Sequence, residues 1–190
     1  MIKVVILASG SGSNAENLVR YFRNNDSVRI ESIGTNNPQA GVIARAEKLG
    51  VRSFVFSSED FKEDKGMPDK LKEHGADYLV LAGFLLLVPK RIIEAFPGRI
   101  INIHPALLPA FGGRGYYGSR VHQSVIDSGA IMSGITIHQV NEKYDAGEII
   151  FQAACHVDKT ETASTLAEKI HRLEHAYYPV VLEKLLSGLK

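Results

Sequence analysis

The sequence predicts a single-domain α/β protein: a Rossmann-like open sheet with parallel strands first, an antiparallel hairpin near the carboxyl end, and a long closing helix. Two observations predict it. Through the first hundred residues, short apolar runs alternate with helix-periodic segments, and strands joined by helices run parallel through right-handed crossovers. Beyond Ser128 the alternation stops, and two strand patterns follow each other with no helix-length segment between them.

Ile2 to Ala8 is a nearly continuous apolar run, as a strand buried on both faces requires. Leu18, Val19 and Phe22 share one helical face, and Val28 to Ile33 reads as the second strand. Val42, Ile43, Ala46 and Leu49 form a helical stripe closed by Gly50, and Val51 to Phe56 follows as strand three. Residues 57–66 are polar and charged and read as a loop before a short helix near Pro68 to His74. Asp77 to Ala82 and Arg99 to His104 are two more strands, flanking a helix that begins at Pro89, where a missing N–H costs nothing. An irregular stretch from Pro105 to Gly118 precedes a helix over Ser119 to Ser128. Met132 to Val140 and Glu148 to Val157 form the expected hairpin, and the helix from Ala163 to Leu186 carries Leu166, Ile170, Leu173 and Tyr177 on its inner stripe.

A chain of 190 residues, 45% apolar and 23% charged, suits one domain spanning 1–190, without repeat, linker or low-complexity tract. The 22 Lys and Arg against 21 Asp and Glu leave a formal charge of +1, so no long-range field gathers nucleic acid or anionic lipid. Lysines and arginines are scattered without interleaved aromatics, which argues against a nucleic-acid surface. The single cysteine, Cys155, cannot form an internal disulfide or build a zinc knuckle, and it fits a reducing compartment. No apolar run approaches the ~20 residues of a membrane helix, so the expectation is a cytoplasmic protein.

Ser9-Gly10-Ser11-Gly12-Ser13-Asn14 lies between the first strand and the first helix, where backbone N–H groups and the helix dipole favour an anion such as phosphate. The same residues suit a tight turn capped by Ser13 or Asn14. Gly10, Gly12 and Ala15 match the dinucleotide spacing, but the second strand ends in Thr35-Asn36-Asn37 where that motif wants a carboxylate for the ribose. The Gly-Lys-Ser/Thr of a triphosphate loop is also missing.

In Arg99-Ile100-Ile101-Asn102-Ile103-His104, the strand period puts Asn102 and His104 on one face and Ile101 and Ile103 on the other. An amide and an imidazole thus share the carboxyl end of a parallel strand, where open α/β sheets bind small ligands. A core pair satisfied by its neighbours is the alternative. Asp145, in the connection between the hairpin strands, could orient that imidazole or be an exposed turn aspartate.

His171-Arg172-Leu173-Glu174-His175 spells a zinc-protease pattern, but a third protein ligand is lacking: the next carboxylate is Glu183, and no metal is expected. Cys155 and His156, adjacent on a strand, face opposite ways and make no dyad. No serine sits in a Gly-x-Ser-x-Gly elbow.

With Gly10 to Asn14, Leu81-Ala82-Gly83-Phe84, Asn102-Ile103-His104-Pro105-Ala106-Leu107-Leu108-Pro109, Asp145-Ala146-Gly147 and Glu174-His175-Ala176-Tyr177-Tyr178-Pro179 in order, the chain resembles the phosphoribosylglycinamide formyltransferases of purine synthesis along nearly its whole length. The resemblance implies the formyltransferase fold and transfer of a formyl group from 10-formyltetrahydrofolate, as cosubstrate, to the amine of glycinamide ribonucleotide. It implies Asn102, His104 and Asp145 as the catalytic trio, Gly12, Ser13 and Asn14 as the phosphate turn, and Glu174 as a nucleotide contact. Leu85, Leu86, Leu87 and Val88, with Asn102, Asn141, Glu142, Lys143, Tyr144 and Asp145, fall where the family lines its folate pocket, largely through main-chain groups. On this reading residues 1–100 hold the ribonucleotide phosphate, residues 101–190 complete the catalytic and folate site, and the protein is a monomer or homodimer.

Two departures stand out. Ser57 to Pro68 is shorter than in many relatives and holds no arginine matching a folate contact, while Leu86 replaces an arginine found in some. Phe111 to Gly118 is longer than in some relatives, and its glycines suggest a loop that closes over ligand. The Leu-Leu-Pro region is also similar to methionyl-tRNA formyltransferase and formyltetrahydrofolate deformylase, whose extra domains 190 residues would not hold. A deformylase-like hydrolase, a non-catalytic sugar-phosphate binder and a nicotinamide oxidoreductase are the competing functions.

Overall fold

Side-chain alternation along the strands decides the layers. In β1 (Ile2–Leu7), Val4 and Ile6 enter one buried cluster while Val5 and Leu7 enter another. The same split recurs in β4 (Tyr78–Leu81), so the sheet is covered on both faces. The computed structural model describes residues 1–63 and 66–188.

Among these residues one seven-stranded sheet forms, adding β2 (Val28–Thr35), β3 (Arg52–Val55), β5 (Ile100–His104), β6 (Met132–Gln139) and β7 (Ile149–His156) in the order β3-β2-β1-β4-β5-β6-β7. The strands from β1 to β5 pair in parallel, and β6 and β7 pair antiparallel. The expected parallel sheet with its closing hairpin is therefore present. One face is covered by α1 (Ser13–Phe22), α2 (Gly41–Leu49), α6 (Ser119–Asp127) and α7 (Ala163–Ser187). The other is covered by α3 (Ser58–Glu63), α4 (Met67–Glu73) and α5 (Lys90–Ala95). No helix among the described residues is long and apolar enough to cross a membrane.

Two sequence expectations need correction. The stretch 57–66 is not all loop, because α3 occupies Ser58–Glu63; residues 64 and 65 lie outside the described set. Ser57 Oγ accepts the Asp60 N–H at 2.9 Å as a local cap, and Phe61 is fully buried between Phe56 and Phe84, with ring centroids 5.2 and 5.1 Å away. One aromatic anchor thus holds a segment whose other residues are polar. On α7 the buried stripe passes through Tyr178 and not Tyr177, which is 39% exposed and only flanks Phe151. The stripe runs Leu166, Ile170, Tyr178, Leu182 and Leu186 at spacings of four and eight, so Glu174 falls on its line.

Tyr178 does more than pack. Its hydroxyl meets Leu81 O at 3.0 Å and Ile101 O at 3.3 Å, tying α7 to β4 and β5. We predict that Tyr178→Phe lowers unfolding free energy by about 1–2 kcal/mol in urea titrations, since two buried carbonyls lose a donor while the ring volume is kept. An unchanged midpoint would show that the tie contributes nothing.

Candidate active site

The strand order places a switch point at β1: the crossover from β1 leads to β2 on one side, while β4 lies on the other. At the carboxyl ends of β1, β4 and β5 this opens a cleft of about 1060 Å³, lined by Gly10 to Asn14, Gly83, Leu85, Asn102, His104, the 113–118 loop, Asp145 and one side of α7.

One end is built by the glycine loop. Gly12 is the N-cap of α1 at φ 80°, and a Cβ there would meet Val42 Cγ2 at 2.3 Å, so glycine lets α1 start against α2. No side chain caps this helix, which leaves its first N–H groups free for an anion. Ser13 and Asn14 therefore do not play the capping role their types allow; both turn to α7. Asn14 Nδ2 donates to Glu174 Oε2 at 2.9 Å, and Ser13 Oγ lies 2.8 Å from His171 Nε2. Burial pushes the Glu174 carboxyl up to about 7, although the Asn14 bond pulls the other way. Asn36 is also employed structurally: its Oδ1 accepts from Ser9 Oγ at 2.6 Å and its Nδ2 donates to Ser58 Oγ at 3.1 Å.

The other end gathers Asn102, His104 and Asp145. Ile100 on β5 feeds the core under α5, while Asn102 and His104, further along the same face, border the open cleft. His104 Nε2 lies 2.8 Å from Phe111 O, which can only accept, so the neutral ring carries its proton there and turns Nδ1 toward Asp145 Oδ1, 3.6 Å away. Asp145 is not an exposed turn residue: its side chain is 11% exposed and Oδ2 accepts the Gly113 N–H at 2.9 Å. Burial raises the Asp145 carboxyl, but the charge of His104 and the Gly113 N–H help bring it below the usual range. Burial lowers the His104 imidazole despite the opposing pull of Asp145 and Phe111 O.

His138 is the residue that sequence reasoning missed. It pairs with Asn102 across β5 and β6, and its Nδ1 donates to Gln139 O at 2.7 Å, which leaves Nε2 to accept from Asn102 Nδ2 at 3.0 Å. That contact sets which way the Asn102 amide faces. Its signal in the sequence is Thr136 and His138 alternating with the core residues Ile135 and Ile137, but only the strand register puts it beside Asn102.

The remaining expected positions divide. Leu85 and Tyr144 border the cleft. Leu86 and Val88 pack into the core under α5, Leu87 is exposed, and Asn141 is half-buried with Glu142 and Lys143 exposed. Asn141 closes the hairpin connection, donating to Ala146 O at 2.9 Å and accepting from Lys143 N at 2.9 Å. Cys155 packs against the first core cluster.

The family described as formyl transferase matches residues 2–182. The chain belongs to the formyl transferase family. It is 37% identical over 192 residues to the phosphoribosylglycinamide formyltransferase of Bacillus subtilis, covering 98% of this chain and 96% of that protein. It is 40% identical over 187 residues to the chloroplastic phosphoribosylglycinamide formyltransferase of Arabidopsis thaliana, covering 95% of this chain but only 64% of the plant protein's length. The crystal structure of the phosphoribosylglycinamide formyltransferase from Anaplasma phagocytophilum superimposes with a TM-score of 0.89 at 34% identity, covering 98% of this chain and 88% of that one.

Glu174 makes stability depend on pH with a definite sign. A glutamate ionises near 4.3 in the unfolded chain but near 7 here, so the stability it contributes is present at low pH and lost as pH rises through 7. Glu174→Gln should gain about 2–3 kcal/mol relative to wild type between pH 5 and 8.5 in denaturant titrations. A pH-independent difference between the two proteins would contradict this burial of a carboxyl group.

Proposed function

We propose that this chain transfers the formyl group of 10-formyltetrahydrofolate to the amine of glycinamide ribonucleotide, a step in the synthesis of inosine monophosphate. The observation that carries the reading is one cleft with an uncapped helix N-terminus at one end and Asn102, His104 and Asp145 converging at the other. The names of the relatives point the same way. On this reading Gly12, Ser13 and Asn14 hold the phosphate, Glu174 meets the sugar, and Leu85, Tyr144 and the main chain of 85–88 and 141–145 border the folate. A chain with one free cysteine, Cys155, suits the reducing cytoplasm.

The neutral amine attacks the formyl carbon, so negative charge grows on the formyl oxygen and positive charge on the nitrogen. Asn102 donates one amide N–H to His138 and keeps a second for the oxygen. His104, held through Nε2 by Phe111 O, offers Nδ1: once protonated it carries an N–H beside both Asp145 and the developing oxyanion. Asp145 favours that charged form and accepts the amine's proton directly or through water, while the imidazolium protonates the departing folate nitrogen. No enzyme group becomes bonded to the formyl carbon.

Asn102→Ala should fold normally and lose roughly 100- to 1,000-fold in kcat, as expected for one oxyanion donor. Asp145→Asn should be severely impaired from pH 6 to 9, and wild-type turnover by either variant would remove its assignment. The reading itself is tested by following formyl loss from a 10-formylfolate analogue with and without glycinamide ribonucleotide. Loss only with the ribonucleotide is the expected result. Loss without it identifies a hydrolase, and ribonucleotide binding with no loss identifies a sensor.

A further inference from the structure

The pattern His171-Arg172-Leu173-Glu174-His175 lies within α7. In the folded chain it lies against the glycine loop, and both imidazoles sit beside the start of α1. His171 Nε2 is 2.8 Å from Ser13 Oγ, the first residue of that helix, and its ring centroid is 4.1 Å from that of His175. Asn17 Nδ2 donates to His175 O at 2.9 Å, which holds α7 against α1 at this point. Two buried polar atoms in the same cluster have no partner: Asn14 Oδ1 and His175 Nε2. Asn14 is 8% exposed and lines the cleft, so a buried acceptor is left waiting beside the uncapped helix.

We propose that His171 is a further substrate-binding residue, which takes up a proton as the phosphate monoester dianion of a sugar phosphate settles on Ser13 and Asn14, with a sugar hydroxyl supplying the donor that Asn14 Oδ1 lacks. This rests on the assignment of the phosphate to the glycine loop.

The charged and titratable groups around His171 come from three elements. From α2, Arg45 donates to Ser11 O at 2.9 Å and is paired with Glu16. From α1, Glu16 also binds Arg20 at 2.7 Å, so its charge is shared between two guanidinium groups. From α7 come Glu168, Arg172, Glu174 and His175. Burial and the Arg45 charge lower the His171 imidazole, which is therefore neutral at physiological pH in the free protein. Burial and then His171 itself lower His175, while Glu16 pulls it up and Arg45 down; the two rings oppose a second charge. A dianion on the Ser13 N–H reverses the local field. It favours imidazolium on the ring that already contacts Ser13, and the new Nε2–H becomes a charge-assisted donor to the phosphate. Glu174, raised to about 7 by burial, is the other group that can take a proton on binding.

The test is isothermal titration calorimetry with ribose 5-phosphate at pH 7.5 in two buffers of different ionisation enthalpy, repeated from pH 6.5 to 8.5. At pH 7.5 the ligand is mostly dianionic, so it contributes little to the proton count. The wild-type chain should take up close to one proton, with Kd rising roughly tenfold per pH unit between the free and bound imidazole pKa values. His171→Gln should lose most of the uptake and the pH slope, and Glu174→Gln should keep both. His171→Lys supplies a fixed charge, so it should bind more tightly than wild type at pH 8.5 with almost no uptake, which a purely structural role for His171 would not produce. The proposal is overturned by absent binding, by binding without uptake, or by uptake that survives in His171→Gln. A chain that passes this test yet transfers no formyl group overturns the proposed function alone. One that transfers formyl without His171-dependent uptake overturns only the present inference.

Discussion

The cleft depends on how α7 is held over the sheet. The Tyr178 hydroxyl on α7 meets two buried backbone carbonyls of the sheet, Leu81 O at the end of β4 and Ile101 O within β5. Because an α-helix repeats nearly every four residues, the stripe that buries Ile170 and Tyr178 also brings Glu174 against Asn14. Packing of the helix and construction of the anion-binding end are therefore one event. The apolar stripe supplies the energy, and the polar residue on its line is carried into a place it would not reach alone.

The opposite end is organised by a different economy of polar groups. Buried side chains must find partners, and here each partner fixes an orientation. Phe111 O holds one nitrogen of His104, Gln139 O holds one nitrogen of His138, and His138 then holds the Asn102 amide. Below them Thr136 Oγ1 donates to Ala106 O at 2.7 Å and accepts from Leu108 N at 2.9 Å and Gln152 Nε2 at 2.8 Å, fixing the turn that follows β5. Asp145 reaches this group from a φ of 51°, and Gly112 leaves room beside it, since a Cβ there would overlap Leu108 Cδ2 and stand 3.3 Å from Asp145 Cβ. The two ends share one cleft but are set by independent networks.

Much of this was legible along the chain. Continuous apolar strands with glycine and proline punctuation announced the sheet, and two polar residues on one face of β5 announced the cleft wall. The failures have physical causes. Segment 57–66 looks like loop because a short helix anchored by one phenylalanine, Phe61, carries no stripe. Tyr177 and Tyr178 are adjacent, and composition does not say which one a 25-residue helix turns inward. His138 was invisible as a site residue because its neighbour Asn102 is 36 positions away and meets it only through antiparallel register.

The sequence by itself determined the class of fold, the hairpin, the glycine turn and the pairing of Asn102 with His104, because those follow from local periodicity and backbone preference. Only the tertiary structure decided that Asp145 faces an imidazole, that His171 and Glu174 face α1 instead of solvent, and that Asn102 leans on His138. These contacts join segments far apart in the chain, and their geometry depends on how layers pack and which buried polar groups are left to satisfy one another.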